Sequence, residues 1–294
     1  MARPKAIKPL SDNLAFINKL VYGWPGIGKS VLAGTSPKAL VLEGGTGETH
    51  SLLGQGLNVD VWQIHTQGDF EEAFEYMRHE GCDEYSWLWL DSASMTEVRL
   101  MKDYMVDALA RNSSRSKFVP DKREYQLVQN TLDYYIREFV DLPIHFGVTA
   151  HVQIETITKL DEEGNEEEEL MYMPQIQGGH GKLAQKICGY MNIVAFMDTV
   201  DIKGRPVRQI LVQADATHVA KDRFDSVGDS TGHMLNPTIP KIMEACGFGE
   251  SGGRRVKSSR PGKSSRATKA TKATAKKVTK ATKTTTAAKK ARIR

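Results

Sequence analysis

The chain has 294 residues, room for one large or two modest domains, and its 40 lysines and arginines against 36 aspartates and glutamates give a net charge of +4. No apolar run reaches the length of a membrane span, and the N-terminus lacks the apolar segment of a secretory signal. Cys82, Cys188 and Cys246 lie far apart, without the spacing of metal ligands. We therefore expect reduced thiols in a cytoplasmic protein with no membrane contact.

The first predicted strand, residues 17–22, leads into a glycine-rich loop and then a short helix that ends near Gly34. The loop fits the phosphate-binding pattern G-x-x-x-x-G-K-[ST] at every fixed position, so an ordinary glycine-rich turn is the weaker interpretation. Its backbone N–H groups would converge on a polyphosphate, with Lys29 at the β- and γ-phosphates and the Ser30 hydroxyl on Mg²⁺. The predicted nucleotide-binding residues are Gly23, Trp24, Pro25, Gly26, Ile27, Gly28, Lys29 and Ser30.

After this loop, the spacing of apolar residues predicts alternating strands and helices up to Gly247. Strands are predicted at 39–43, 58–64, 85–90, 142–159, 170–173, 191–197 and 208–212, and helices at 68–79, 95–111, 121–140, 182–187 and 239–246. Asp69 is the candidate cap of the first of these helices, and an acidic turn at 161–165 joins two strands into a hairpin. The pattern indicates an α/β fold, a mainly parallel sheet flanked by helices, with the nucleotide at the carboxyl ends of the strands.

Two predicted central strands end in polar residues. Asp91 ends a run of large apolar residues, as expected where a buried parallel strand delivers a carboxylate to the edge of a sheet. Apolar strands often end in aspartate, but downstream of a phosphate-binding loop we assign Asp91 to the Mg²⁺ shell. Thr149 and His151 end another strand and are expected at the same edge.

The net charge hides two opposite parts. Residues 251–294 hold 16 lysines and arginines and no acid, which leaves 24 basic side chains against all 36 acidic ones in residues 1–250, a net charge of −12. We therefore divide the chain into a flexible segment at 1–15, a globular domain at 16–250 and a disordered basic tail at 251–294.

The tail repeats alanine, threonine and lysine and contains almost no large apolar residue, so it cannot bury a core. Evenly spaced cations suit a polyanion, and single-stranded DNA is the expected partner because neutralised phosphates release counterions. A merely solubilising tail is the alternative. Loop 174–181, rich in glycine, is a second candidate contact. The expected DNA-binding residues of the tail include Arg254, Arg255, Lys257, Arg260, Lys263, Arg266, Lys269, Lys272, Lys276 and Lys277.

Five motifs in order, GWPGIGKS, LVLEGG, WLWLDS, FGVTAHV and AKDRF, resemble the RecA-like P-loop NTPase core of phage-encoded ATPases. The resemblance covers about residues 16–247 and is strongest to the small single-strand annealing and recombination proteins known as phage nucleotide-binding proteins. The phosphate-binding loop alone does not single out this family. The late Lys-Asp-Arg after a strand is what points to the RecA group. The tail lies outside this core and is similar to the tails of histone-type and nucleoid proteins.

The resemblance implies further roles. Glu43 resembles the glutamate that polarises the attacking water, with Glu48 as the alternative, and His151 stands where the family has a sensor of the γ-phosphate, unless it is structural. Lys221 and Arg223 resemble a basic pair that reaches the γ-phosphate of a neighbouring subunit. A surface cluster in ordinary ion pairs is the alternative for this pair. A homo-oligomer, ring or filament, follows from the trans role.

Together these features predict an ATP-binding and ATP-hydrolysing, Mg²⁺-dependent RecA-like protein that binds DNA in phage recombination, strand annealing or replication, in the host cytoplasm. A helicase loader or motor accessory ATPase is one alternative. A small-molecule or nucleoside kinase is another, disfavoured by the basic tail and by the absence of a recognisable lid with paired arginines.

Overall fold

The computed structural model describes residues 16–160, 166–177 and 182–248. The chain divides into two units, Met1–Val256 and Lys257–Arg294, and all described residues belong to the first. Several predicted features therefore lie outside the described residues: the flexible segment 1–15, the hairpin tip 161–165, the second half of loop 174–181 and the basic tail 251–294.

Strands and helices alternate along the first two thirds of the described chain. The strands are β1 Asn18–Gly23, β2 Ala39–Glu43, β3 Asp60–Gln63, β4 Trp87–Asp91, β5 His145–Leu160, β6 Glu166–Pro174, β7 Ile193–Ile202, β8 Arg205–Leu211, β9 Lys221–Asp222 and β10 His233–Leu235. The helices are α1 Lys29–Gly34, α2 His50–Leu53, α3 Gln67–Tyr76, α4 Cys82–Glu84, α5 Ala93–Arg111, α6 Lys122–Val140, α7 Lys182–Tyr190 and α8 Ile239–Ala245, with a π-helical segment Met77–Gly81 between α3 and α4.

The strands form a sheet in the order β10-β8-β7-β1-β5-β4-β2-β3. From β7 to β3 neighbouring strands are parallel, whereas β8, β10, β6 and β9 pair antiparallel. We call the side where β1, β2 and β4 end, at Gly23, Glu43 and Asp91, the carboxyl edge. The opposite side, where β1 and β5 begin at Asn18 and His145, is the amino edge. Parallel strands thus bring residues distant in sequence to one edge.

Apolar side chains cover both faces of the sheet, because the central strands alternate between two cores. Leu88 and Leu90 of β4 face the larger core, formed with α3, α5, α6 and α7, while Trp87 and Trp89 face the smaller core under α1 and α8. The predicted α/β class, a mainly parallel sheet flanked by helices, is confirmed. None of the helices in the described ranges is long and apolar enough to cross a membrane.

The structure corrects several local predictions. The N-cap of α3 is Thr66, and Asp69 instead occupies the third helical position, where its carboxylate bonds back to the Thr66 N–H in a capping box. The short strands β9 and β10 and helices α2 and α4 were not predicted, because pieces this short carry no measurable periodicity. The hairpin of β5 and β6 was predicted, but both strands reach further towards its tip.

Candidate functional site

The glycine-rich loop joins β1 to α1 at the carboxyl edge. Gly28 caps α1 in the left-handed region, with φ 105°, a conformation that disfavours side chains. Gly23 lies against β7, where an added Cβ would come 2.4 Å from the carbonyl oxygen of Met197. Backbone conformation at Gly28 and close packing at Gly23 thus explain why both motif positions are glycine. The strand–loop–helix context predicted from the sequence is present.

Lys29 is buried at the start of α1. Its ammonium donates hydrogen bonds to the carbonyl oxygens of Gly23, at 3.1 Å, and Trp24, at 3.0 Å. Burial lowers the pKa of Lys29, and the nearby carboxylates of Asp91 and Glu48 oppose that shift. The loop lysine is thus close to two acidic groups that come from other elements.

Asp91 lies fully buried at the end of β4. One carboxylate oxygen, Oδ1, accepts a hydrogen bond from the Thr149 hydroxyl. Burial raises the pKa of Asp91, an effect that the hydroxyls of Thr149 and Ser30 and the charge of Lys29 only partly offset. Within the described residues, the other oxygen, Oδ2, has no hydrogen-bond partner.

A buried carboxylate oxygen without a partner, beside the loop serine, fits a divalent cation. Mg²⁺ prefers oxygen ligands and is commonly held by one or two carboxylates together with substrate phosphates. Among the described residues, no three His, Cys, Asp or Glu side chains converge as a metal cage. Asp91 and Ser30 would therefore hold Mg²⁺ only in combination with oxygens of a bound phosphate compound.

Both candidate glutamates are held by hydrogen bonds. Glu43, at the end of β2, accepts bonds from the backbone and hydroxyl of Thr49, at 2.9 and 2.8 Å, and from Gln63 at 3.2 Å. Glu48 bridges to the loop after β4, where it accepts bonds from the backbone N–H and the hydroxyl of Ser92 at 2.9 and 3.1 Å. Neither carboxylate is free of protein contacts.

The electrostatic surroundings separate the two glutamates. Glu43 is buried, and its charge contributes to the raised pKa of Asp91. Glu48 is half-buried, and it is the glutamate whose charge, after that of Asp91, opposes the lowering of the Lys29 pKa by burial. The pKa of Glu48 is itself raised, by burial first and then by Asp91. Of the two glutamates, Glu48 is therefore the one whose charge acts on the pKa of the loop lysine.

His151 belongs to the same group of residues. It is half-buried in β5, level with Gly23 of β1. Burial lowers its pKa, the charge of Lys29 lowers it further, and Asp91 raises it. The structure therefore places His151 within electrostatic reach of the loop lysine and Asp91, whereas its role as a sensor stays a prediction.

Loop 174–181 starts beside this group. The backbone N–H of Gln175 donates to the His151 carbonyl at 2.8 Å, and the Ser94 hydroxyl donates to the Gln175 carbonyl at 2.7 Å. Next, the Gln177 N–H donates to the carboxyl group of Glu97 at 2.6 Å. Burial raises the pKa of Glu97 to about 8, and the Gln177 bond opposes the shift. Helix α5, which follows Asp91, thus anchors the described part of the loop.

Lys221 and Arg223 lie away from the glycine-rich loop. Lys221 pairs with Val194 near the start of β7, towards the amino edge. Its ammonium donates to the Cys188 carbonyl at 2.5 Å, and the Arg223 guanidinium donates to the Gly189 carbonyl at 2.9 Å. Cations at carbonyls of the last turn stabilise the end of a helix, here α7. The structure does not bring this pair to the nucleotide site, and the trans role stays a prediction.

One basic residue beside the loop was not singled out from the sequence. Arg208 of β8 lies against Gly28, where an added Cβ would come 2.8 Å from its Nε atom. The predicted strand 208–212 began at this arginine. Its place beside the glycine-rich loop depends on the pairing of β8 with β7, which the sequence pattern does not reveal. The tail residues assigned to DNA binding lie outside the described residues.

A family model described as an AAA domain matches residues 15–224. No curated protein matches the chain. Among solved structures, the chain is similar to a KaiC-like protein from the hyperthermophilic archaeon Pyrococcus horikoshii OT3, with 12% identity over 75% of this chain and 89% of that chain and a TM-score of 0.37. The matched family segment contains every residue of the candidate site described above.

Proposed function

The chain belongs to the AAA domain family, and from this premise we propose that it binds and hydrolyses ATP with Mg²⁺ at the carboxyl edge and couples this cycle to DNA. The observation that carries the ATP site is the arrangement around Asp91. Its Oδ2 atom, which has no hydrogen-bond partner in the part of the chain that the structure describes, is buried beside Ser30 and Lys29 of a complete phosphate-binding loop. A buried carboxylate oxygen left without a partner is costly unless a ligand satisfies it.

Each residue of the site has a task in phosphoryl transfer. Residues 23–30 wrap the phosphates, and the ammonium of Lys29 moves from the loop carbonyls to the β- and γ-phosphates. Asp91 and Ser30 hold Mg²⁺, which when bound neutralises negative charge on the phosphates. One of the two glutamates, Glu48 or Glu43, orients the attacking water, and His151 senses the γ-phosphate. Lys221 and Arg223 serve the nucleotide of a neighbouring subunit in a ring or filament.

The DNA part of the proposal rests on charge. The first 250 residues carry a net charge of −12, so they repel DNA in general, whereas residues 251–294 carry 16 positive charges. Loop 174–181 is the second contact, because its described part is bonded to α5 and His151 beside the nucleotide site. A basic tail joined to an ATPase of this kind suits a RecA-like protein of phage recombination, strand annealing or replication.

One experiment tests the enzymatic part. ATP hydrolysis is measured for the full chain with and without single-stranded DNA, beside Lys29→Ala, and annealing of complementary oligonucleotides is followed in parallel. We expect hydrolysis that DNA stimulates, and a loss of about 100-fold or more in Lys29→Ala because a charge-assisted contact to the phosphates disappears. Wild-type turnover in a folded Lys29→Ala variant contradicts the site. Phosphorylation of a small acceptor without DNA supports a kinase instead.

Deleting residues 251–294 tests the DNA part. For single strands, log affinity falls with log salt by about 0.7 per phosphate neutralised, so half of the tail cations engaged at once give a slope of roughly −5 to −6. We expect the deletion to weaken binding at moderate salt and flatten this slope, while hydrolysis without DNA survives. Unchanged affinity and slope would make the tail a solubility device and place the DNA site on the domain.

A further inference from the structure

Arg208 lies on β8, which is separated from β1 in the sheet by β7. β7 runs parallel to β1, with Met197 level with Gly23, and continues past the end of β1 to Ile202. β8 returns antiparallel, with Arg208 opposite Thr199. Because Thr199 is two residues beyond the level at which β1 ends, Arg208 stands at the height of the glycine-rich loop.

The side chain of Arg208 reaches the loop itself. A Cβ atom added to Gly28 would come 2.8 Å from Nε, 2.9 Å from Cζ and 3.3 Å from Cδ of Arg208. The guanidinium group therefore lies against the position that a Cβ atom would take on the glycine that precedes Lys29. In this position a side chain on residue 28 would displace the arginine, and the glycine permits the contact.

The charge of Arg208 is not neutralised by the part of the chain that the structure describes. The side chain is exposed, and no acidic group or carbonyl among the described residues bonds its guanidinium. The next residue, Lys29, donates hydrogen bonds to the carbonyl oxygens of Gly23 and Trp24. Arg208 against Gly28 and Lys29 in the next position thus place two cations at one phosphate-binding loop, an arrangement that an anion bound to this loop would stabilise.

From this juxtaposition we propose that Arg208 contacts the γ-phosphate of the nucleotide bound in its own subunit. The proposal rests on the ATP site proposed above and deepens it. Backbone N–H groups of the loop serve the inner phosphates, while the γ-phosphate is the group that gains charge-assisted contacts from side chains. A planar guanidinium offers two parallel N–H donors to phosphate oxygens, which an ammonium group cannot reproduce. Arg208 would therefore supply in cis the charge that Arg223 is predicted to supply in trans.

Affinities for a fluorescent ATP analogue and its ADP counterpart test the contact. Arg208→Gln should weaken binding of the triphosphate roughly 10- to 100-fold, since bonds between charged groups are of that strength, and leave the diphosphate nearly unchanged. Arg208→Lys should recover only part of the loss. Arg205→Gln is the matched control, an exposed arginine of the same strand three residues nearer the turn, and should bind both nucleotides like the wild type.

The outcomes separate this proposal from the ATP site on which it rests. If the wild type binds the triphosphate and Lys29→Ala does not, but Arg208→Gln keeps the wild-type ratio of the two affinities, only the role of Arg208 is overturned. If the wild type binds neither nucleotide, both proposals fail. Hydrolysis by mixtures of Arg208→Gln and Lys29→Ala distinguishes cis from trans. We expect no rescue, and recovered activity would assign Arg208 to a neighbouring subunit.

Discussion

The carboxyl and amino edges of the sheet each bury a charged side chain with a polar atom that has no partner among the described residues. At the carboxyl edge this atom is Oδ2 of Asp91, and at the amino edge it is Nζ of Lys19. The neighbours differ in kind. Asp91 is surrounded by hydroxyl groups and by Lys29, whereas Lys19 lies 4.4 Å from the centre of the Trp87 ring.

At the amino edge, burial favours the neutral forms of the ionisable side chains. Burial lowers the pKa of Lys19 to about 7, and Cys246 opposes the shift. Burial, followed by the charge of Lys19, also lowers the pKa of His145 to about 4, and this ring accepts a hydrogen bond from the Ile17 N–H at 3.0 Å while it stacks on Trp87. An orphaned atom therefore indicates a ligand site only where its neighbours are polar and belong to a binding motif.

The contrast between the two edges would fail if a residue near the amino edge acted on the nucleotide of a neighbouring subunit. If Arg223 serves a neighbouring subunit, Arg223→Ala should leave ATP affinity near normal and lower turnover by about 1,000-fold, as for other arginines supplied to phosphoryl transfer. Mixing it with Lys29→Ala should restore part of the activity, because some interfaces then pair an intact loop with an intact arginine. Unchanged turnover with a lower melting temperature would leave Arg223 only its contact with the end of α7.

Variants of the two glutamates test which of them orients the attacking water in the proposed reaction. We expect Glu48→Gln to lower kcat by about 100-fold, a usual loss for general base catalysis, and Glu43→Gln to lower it less. The reason is that the charge of Glu48 acts on the pKa of Lys29, although Ser92 holds Glu48 just as Thr49 holds Glu43. Turnover of both variants at saturating ATP decides the assignment. The reverse order would restore Glu43 as the residue that orients water.

Sequence reasoning succeeded where local patterns suffice. The loop motif, the strand 39–43 and the aspartate at the end of β4 all lie where the pattern of residues placed them. The positions of Arg208 and Lys19 depend on which strands become neighbours and on what packs over them. Lys19 carries a weak signal, a cation inside an apolar strand, but its contact with Trp87 arises from residues far apart in sequence.

A smaller effect is expected at the amino edge itself. Lys19→Met should raise the free energy of unfolding at pH 7 by on the order of 1–4 kcal/mol, because well-packed apolar replacements of buried charges are often stabilising. The pKa of Lys19 falls from 10.5 in the unfolded chain to about 7. The folded state therefore binds fewer protons between these values, and wild-type stability rises with pH across that window.

Urea unfolding at pH 7 and at pH 9.5 measures this dependence. Lys19→Met should remove the increase in the free energy of unfolding between these two pH values that Lys19 causes. Lys102→Met, a change at an exposed position of α5, should retain this increase. A Lys19→Met variant less stable than the wild type at pH 7 would show that the contact with Trp87 outweighs the burial of the charge.

The most direct test of the account is the Mg²⁺ dependence of ATP binding at Asp91. Calorimetric titrations with Mg²⁺ and with EDTA compare the wild type, Asp91→Asn and the exposed-residue control Asp83→Asn. Asn should be tolerated, because burial already disfavours the charge of Asp91. We predict that Mg²⁺ tightens ATP binding to the wild type and to Asp83→Asn but not to Asp91→Asn. Equal Mg²⁺ dependence in all three proteins would contradict the assignment of the carboxyl edge as the ATP and metal site.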